Sequence, residues 1–342
     1  IGHSEDKRDT KNDDAGGWLY TYNTYHNSAN WLNTLQVDSA NSLLIGLDWY
    51  EDILHSSTDF NETSRWNQAG FVQHRFYGES FSTELGIRHD KNEDFGNENT
   101  WNGALTIPVN PDNETILSYS EGFRAPTFND LYYPGYYDFF GIYRPLSNSN
   151  LNPETSKTYE AQWRSRFSNQ AQLELSLYRT DINDAIVTDQ SNIPQNVQSA
   201  RINGFEAALA QQFADWQSNM ALGFIDPRDR QTGHTLARRA KRTLTLDIDR
   251  PFGAFSVGGT WRAVAGRYDD AANTRALGGY GLLGLRGAWQ ATEEVAFDVK
   301  LNNLLNKDYA DGQFNPAFAG VYEDYNTEGR TALFAVTWTP KL

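Results

Sequence analysis

Phe81-Ser-Thr-Glu-Leu-Gly-Ile-Arg88 places Phe81, Thr83, Leu85 and Ile87 at every second position, with Ser82, Glu84, Gly86 and Arg88 between them. Successive side chains of a strand point to opposite faces, so this octet has one mostly apolar and one polar face. The same period recurs at Leu173-Leu175-Leu177, Leu244-Leu246-Ile248 and Val295-Phe297-Val299-Leu301, each interleaved with mainly polar residues. No stretch of helical period matches them; Ala207–Phe213 reads either way. Collecting every such segment predicts about sixteen strands of around ten residues or more. Their centres fall near residues 5, 28, 48, 71, 85, 104, 118, 162, 177, 207, 221, 245, 260, 283, 299 and 334.

The connections alternate in length. Short turns are expected at Asp38–Asn41, Gly78–Ser80, Asn110–Asn113, Ala214-Asp215, Arg250–Gly253 and Ala291–Glu293. Long polar links are expected at Ser56–Arg65, Asp90–Asn99, Arg124–Pro153, Asp181–Asn196, Asp226–Arg239, Arg267–Ala276 and Asn306–Glu328. Short on one edge and long on the other is the pattern of an all-β, antiparallel transmembrane β-barrel. A closed barrel pairs every backbone group in lipid, where no water is available. Aromatic girdles at the two interfaces fit the 10 Trp and 18 Tyr; Trp18, Tyr20, Trp49, Tyr50, Trp163, Trp261, Trp289 and Trp338 are the candidates. The rival is a soluble all-β fold, but no blade-length repeat is present and a propeller leaves the loop alternation unexplained.

Composition removes other classes. The 342 residues contain no Cys, which excludes disulfides, thiolate metal sites and Cys nucleophiles. A formal net charge of -15 argues against a nucleic-acid partner. No apolar run is long enough for a membrane-spanning helix, and no signal peptide is visible. There is no Gly-x-Ser-x-Gly elbow, P-loop or His-Glu-x-x-His, so no enzyme is expected. The six His are scattered without metal-ligand spacing.

One segment stands apart. Glu121–Glu154, E-G-F-R-A-P-T-F-N-D-L-Y-Y-P-G-Y-Y-D-F-F-G-I-Y-R-P-L-S-N-S-N-L-N-P-E, is too polar and too broken by Pro and Gly for a core strand, and too aromatic for an idle loop. Its rings, Tyr132, Tyr133, Tyr136, Tyr137, Phe139, Phe140 and Tyr143, offer apolar area at low entropic cost, and Arg144 offers a fork for phosphate or carboxylate. These eight residues are the candidate ligand site; packing of the rings on each other to hold a long loop is the equal alternative. Arg238, Arg239, Lys241 and Arg242 form the one dense basic run, expected to pair with nearby acids in preference to lipopolysaccharide or a ligand phosphate.

Read on through N-L-N-P-E-T-S-K-T-Y-E, Asn150–Glu160, the segment resembles the middle of TonB-dependent outer-membrane receptors, where a strand rises, breaks at Ala-Pro and returns after an Asn-Pro-rich motif. A-R-I-N-G-F-E-A-A-L (200–209), L-N-N-L-L-N-K-D-Y (301–309) and G-R-T-A-L-F-A-V-T-W (329–338) agree, in order, over about two thirds of the chain. L-A-R-R-A-K-R-T (236–243) and G-R-Y-D-D (266–270) look most like the cobalamin-receptor branch. The resemblance implies a barrel of about 22 strands around an N-terminal plug that contacts TonB. With about sixteen strands and no plug, residues 1–342 look like the C-terminal part of such a barrel, in the outer membrane of a Gram-negative bacterium. It implies active uptake of cobalamin, with a ferric siderophore as the alternative cargo and a passive porin-like or non-transport barrel as the other class. Outer-membrane lipid and lipopolysaccharide are further expected partners. No cofactor is expected. Asp269-Asp270 and Asp13-Asp14 offer oxygens to calcium, which orders loops in cobalamin receptors of this type, but without EF-hand spacing they are read as solvated.

Overall fold

The computed structural model describes residues 1–12, 18–167, 170–188, 193–314 and 321–341, with the side chains of Asn12, Trp18, Leu19, Thr188, Val197 and Gln198 outside that description. Sixteen strands form one antiparallel sheet: β1 Gly2–Asn12, β2 Trp18–Gln36, β3 Asn41–Ser56, β4 Ser64–Tyr77, β5 Ser82–Asn92, β6 Gly96–Asn110, β7 Asn113–Arg124, β8 Glu154–Phe167, β9 Ala171–Thr188, β10 Pro194–Phe213, β11 Trp216–Asp229, β12 Arg242–Phe252, β13 Phe255–Val264, β14 Tyr280–Gln290, β15 Val295–Asn302 and β16 Thr331–Trp338. Each is bonded to its neighbours in sequence, in the order β1 to β16. All sixteen centres expected from the alternation fall inside a strand, and the ambiguous Ala207–Phe213 is part of β10.

The chain divides into two compact units, Ile1–Ile107 with Leu117–Tyr159 and Thr180–Ser199, and Pro108–Ile116 with Glu160–Arg179 and Ala200–Leu342. Along β3 to β6 of the first, the usual order of burial is inverted. Asn67, Asp90 and Asn92 are buried, and Asn67 Nδ2 donates to Asp90 (3.0 Å) while Asn92 Nδ2 donates to Asn67 (3.2 Å). Arg88 pairs with Asp48 (2.6 Å) and Asp90 (2.8 Å). Leu47, Val72, Leu85, Ile87 and Trp101, on the alternate positions, are exposed. A soluble protein does the reverse; a sheet with hydrocarbon against its apolar face does this. Adjacent positions cannot share a face, so Trp49 lies exposed with Leu47 while Tyr50 faces the other way, its ring 5.3 Å from His26. Only one of that expected girdle pair sits on the apolar face.

The second unit repeats the pattern. Register sets Asp247 opposite Thr260, and Asp249 opposite Gly258 and then Arg286 across three strands. Arg286 reaches Asp249 (2.7 Å), Thr260 (2.7 Å) and Asp247 (3.3 Å). A Cβ on Gly258 would collide with the Asp249 carboxylate, so glycine is what lets this charge triad close across β13.

Turn chemistry explains the tight edge. Asp38 Oδ1 accepts the N–H groups of Ala40 and Asn41 (both 2.8 Å), and Asn110 Oδ1 that of Asp112 (3.0 Å). Three expectations need correction. Arg250 and Pro251 stay in β12, and the turn is at Gly253-Ala254, where Gly253 takes φ +61°. The links expected at Asp90–Asn99 and Asp181–Asn196 are much shorter, because β5, β6, β9 and β10 continue past their apolar positions. Polar residues hold such extensions when they bond across strands, as Asn67, Asp90 and Asn92 do. One short helix, α1 Phe128–Tyr132, lies in the long link after β7. Thr127-x-x-Asp130 at its start is a capping box, and that spacing is visible in the sequence.

Candidate functional site

The loop from Ala125 to Pro153 is built in two parts. Pro126 breaks β7, and Thr127 caps α1 by accepting from the Asp130 N–H while its own N–H donates to the Asp130 carboxylate (2.8 Å). The helix buries Phe128 with Leu54 and Phe60, and Tyr22, Tyr132 and Tyr133 close around them. Tyr133 meets Phe60 edge-to-face at 5.5 Å, and Tyr132 Oη donates to Asp94 (2.7 Å). Burial, then that bond to a carboxylate, drives the Tyr132 phenol well above its ordinary value. Arg65 joins wall to loop: its side chain is 10% exposed, it donates to the Pro126 carbonyl (2.7 Å), and its guanidinium lies 5.0 Å from the Phe128 ring centre.

The return limb is tied as firmly. Asn148 N–H donates to the Asp130 carbonyl (2.8 Å), and Ser147 Oγ to that of Tyr133 (2.7 Å). Asn152 N–H donates to Asn196 Oδ1 (2.9 Å), and Asn196 Nδ2 donates back to the Asn152 carbonyl (3.0 Å). The Asn-Pro-rich stretch is therefore a set of backbone clasps.

Between these limbs stands a small exposed hairpin. Tyr136 pairs with Arg144 and Tyr137 with Tyr143. Asp138 organises the bend: it accepts the N–H groups of Phe140 (3.0 Å) and Ile142 (2.9 Å) and pairs with Arg144 (2.9 Å). Gly141 takes φ +75°, a conformation that favours glycine. The Ile142 N–H holds the Asp138 carboxylate below its ordinary range, opposed by partial burial and reinforced by Arg144. The tip displays its rings to the surroundings: Phe139 is 97% exposed, Phe140 82% and Tyr137 74%.

The eight candidate residues thus separate. Tyr136, Tyr137, Phe139, Phe140, Tyr143 and Arg144 share the tip, while Tyr132 and Tyr133 pack at the base. Arg144, read as a fork for a ligand anion, is engaged with Asp138. Replacing Asp138 with alanine removes the acceptor of two amides and the partner of Arg144. Hydrogen exchange at Ile142 and Arg144 is expected to accelerate several-fold, with Asn152 unchanged; equal exchange in both proteins means ring stacking alone holds the tip.

In the second unit Asp269 is buried, contrary to the expectation that this acidic pair is solvated, while Asp270 keeps an intermediate exposure. Asp269 is buried and accepts from Arg238 Nε (2.8 Å), the Gln313 N–H (3.0 Å) and Arg275 Nη2 (3.2 Å). Asp270 accepts the N–H groups of Arg275 (2.7 Å) and Thr274 (3.0 Å). Arg238 holds φ +58° there, and Arg275 lies 3.9 Å from the Tyr322 ring centre. Nothing in the sequence marked Arg238 and Gln313 as partners of Asp269, since the three lie on different links; Arg275 comes from the same link as Asp269. Asp13-Asp14 fall outside the described residues. Among those described, no group of three or more metal-binding side chains occurs. Of the basic run, Arg238 binds Asp269 and Lys241 approaches Asp226 (3.5 Å), as expected of loop-base cations.

A family model described as TonB dependent receptor-like, β-barrel, matches residues 2–304. The chain is 30% identical over 321 residues to the vitamin B12 transporter BtuB of Vibrio vulnificus, covering 91% of this chain and 49% of that protein. It is 27% identical over 350 residues to BtuB of Photobacterium profundum, covering 99% and 54%. It therefore spans about half the length of the curated relatives it matches. Its fold is like that of the siderophore receptor PirA from Acinetobacter baumannii, with TM-score 0.75, 16% identity, and 98% of this chain and 58% of that one covered.

Proposed function

The chain belongs to the TonB-dependent receptor β-barrel family, and from that premise we propose that it forms part of the wall and external loops of an outer-membrane receptor that takes up cobalamin. Two curated relatives along nearly the whole chain carry the name vitamin B12 transporter, which supports this cargo over a ferric chelate. The observation that carries the ligand role is the exposed hairpin Tyr136–Arg144 on a clasped base. Rigid rings that need no ordering on contact keep the entropic cost of binding low. In this reading the loop captures the corrinoid from outside, a plug closes the passage, and TonB supplies the pull that opens it. The residues present make the wall and the capture surface.

Titration of the complete natural protein with cyanocobalamin, alongside a ferric catecholate, tests the proposal. Saturable binding of cyanocobalamin without competition from the chelate is expected. Replacing Phe139 and Phe140 together by alanine should weaken it about tenfold or more, the cost of truncating anchoring aromatics. Binding of the chelate and not of cyanocobalamin overturns the cargo; full affinity in the double variant overturns the role of the tip.

A further inference from the structure

Register across β11 to β16 assigns each residue to a face. The apolar face takes Met220, Leu246, Trp261, Leu285, Val299 and Val336 among many like them. Among the described residues of β12 to β16 it carries two charges: Arg242, where β12 meets a long link, and Arg250, two residues from the turn of the β12–β13 hairpin; in β11 the same alternation reaches Asp226 and Arg228, at the end that leads into a long link. Two residues are roughly 7 Å of strand. A cation so placed sits where hydrocarbon gives way to headgroups, the depth at which arginine is tolerated on a lipid-facing barrel wall.

The surroundings of Arg250 are those of an unfinished site. Its guanidinium lies 5.3 Å from the Trp216 ring centre and 4.5 Å from that of Phe252. Such rings hold a guanidinium in place without consuming its N–H donors. Nε is buried and has no hydrogen-bond partner. The one acceptor within reach among the described residues is Asp215, at a long 3.4 Å and itself 69% exposed. A pair so exposed and so long is weak. The outward Nη edge of the fork, touched among the described residues only by the long Asp215 contact, is what a bidentate anion would meet, and a carboxylate stands beside it.

An apolar slot adjoins it. Register runs Arg250, Val257, Gly287, Val299 across four neighbouring strands. A groove of about 350 Å³ lies on this row, walled by Val257, Trp289, Phe297, Val299 and Phe334 with Gly287 in its floor. Phe255, Trp289 and Phe297 stack along its turnward side, with ring centres 5.8 and 5.4 Å apart. A Cβ on Gly287 would meet Val299 at 3.5 Å, an ordinary contact, so the backbone accepts a larger side chain that would fill the slot.

We propose that Arg250, Asp215 and the slot over Gly287 seat one glycerophospholipid whose headgroup carries both a phosphate and a primary ammonium. The phosphate takes the open fork of Arg250, the ammonium meets Asp215, and an acyl chain lies in the slot. The paired cation and anion select this occupant: a headgroup with phosphate alone leaves Asp215 facing a like charge. The inference rests on the outer-membrane reading, since it needs the apolar face to meet lipid.

Native mass spectrometry of the complete protein in detergent tests it, with phosphatidylethanolamine, phosphatidylglycerol and free phosphoethanolamine as probes. Phosphatidylethanolamine should be retained in preference to the other two. Arg250→Gln and Gly287→Leu should each weaken it about tenfold, as loss of a charge-assisted contact or of the chain's place would. Asp215→Asn should erase the preference over phosphatidylglycerol. Undiminished retention in both Arg250→Gln and Gly287→Leu overturns the seat alone, and equal binding of free phosphoethanolamine overturns the slot. A protein that needs no detergent and takes up no lipid overturns the membrane reading together with it.

Discussion

Replacing Arg65 with leucine is expected to detach the base of the aromatic loop from the sheet. The Arg65 side chain is 10% exposed and bonds the Pro126 carbonyl at 2.7 Å, whereas its approaches to Asp94 (3.5 Å) and Asp52 (3.6 Å) are long. The short bond and the Phe128 contact carry the geometry; the acids supply the field that makes a buried cation tolerable. Leucine leaves two acids without their cation and a carbonyl without its donor. Losing one partner of a buried pair costs about 3–5 kcal/mol. Local opening of residues 127–133 should therefore rise on the order of a hundredfold or more, read as faster amide exchange and as proteolysis within the loop. Tyr132→Phe removes only the bond to Asp94 and should cost about 1–3 kcal/mol. Unchanged protection in Arg65→Leu would mean that the Phe60–Phe128 cluster holds the loop by itself.

Asp269→Ala carries a comparable effect in the other unit. That carboxylate is almost wholly buried and gathers donors from three links: Arg238, Arg275 and the Gln313 N–H. Alanine leaves two guanidinium groups facing each other with nothing between them, again about 3–5 kcal/mol. The three links are expected to loosen together, seen as concurrent proteolysis near residues 230–241 and 265–279.

The same site should respond to acid. Burial pushes the Asp269 carboxyl upward, but the Arg238 bond, the Gln313 N–H and Arg275 outweigh it, and its pKa lies below the ordinary 3.8. A carboxyl lowered by folding stabilises the native state fully above its unfolded value and loses that contribution as pH falls through the native one. Asp270 is lowered likewise, burial being outweighed by the Arg275 and Thr274 bonds. The links should hold at neutral pH and open below about pH 4. Asp269→Asn should flatten part of that acid response, leaving the share due to Asp270. An acid response identical in Asp269→Asn would assign all of it elsewhere.

The membership of the family and all sixteen strands are legible in the sequence, because both rest on short-range order. A pleated backbone fixes the period at two, so Leu85 and Ile87 declare their face without reference to any neighbour. The capping box Thr127-x-x-Asp130 was equally local, and it marks a helix that alternation alone passes over.

Partnership is a different matter. Arg65 and Pro126 lie 61 residues apart, and Arg238 and Gln313 75; no periodicity relates them, and the path of the intervening chain decides whether they meet. That path divided one run of rings into a base that packs, Tyr132 and Tyr133, and a tip that is displayed, Phe139 and Phe140. It also drew Asp269 into burial and set Arg250 between Trp216 and Phe252. The sequence by itself determined which face of each strand is apolar, since that follows from backbone geometry one residue at a time. Only the tertiary structure decided which charges and rings touch, since those contacts depend on register and loop course summed over tens of residues.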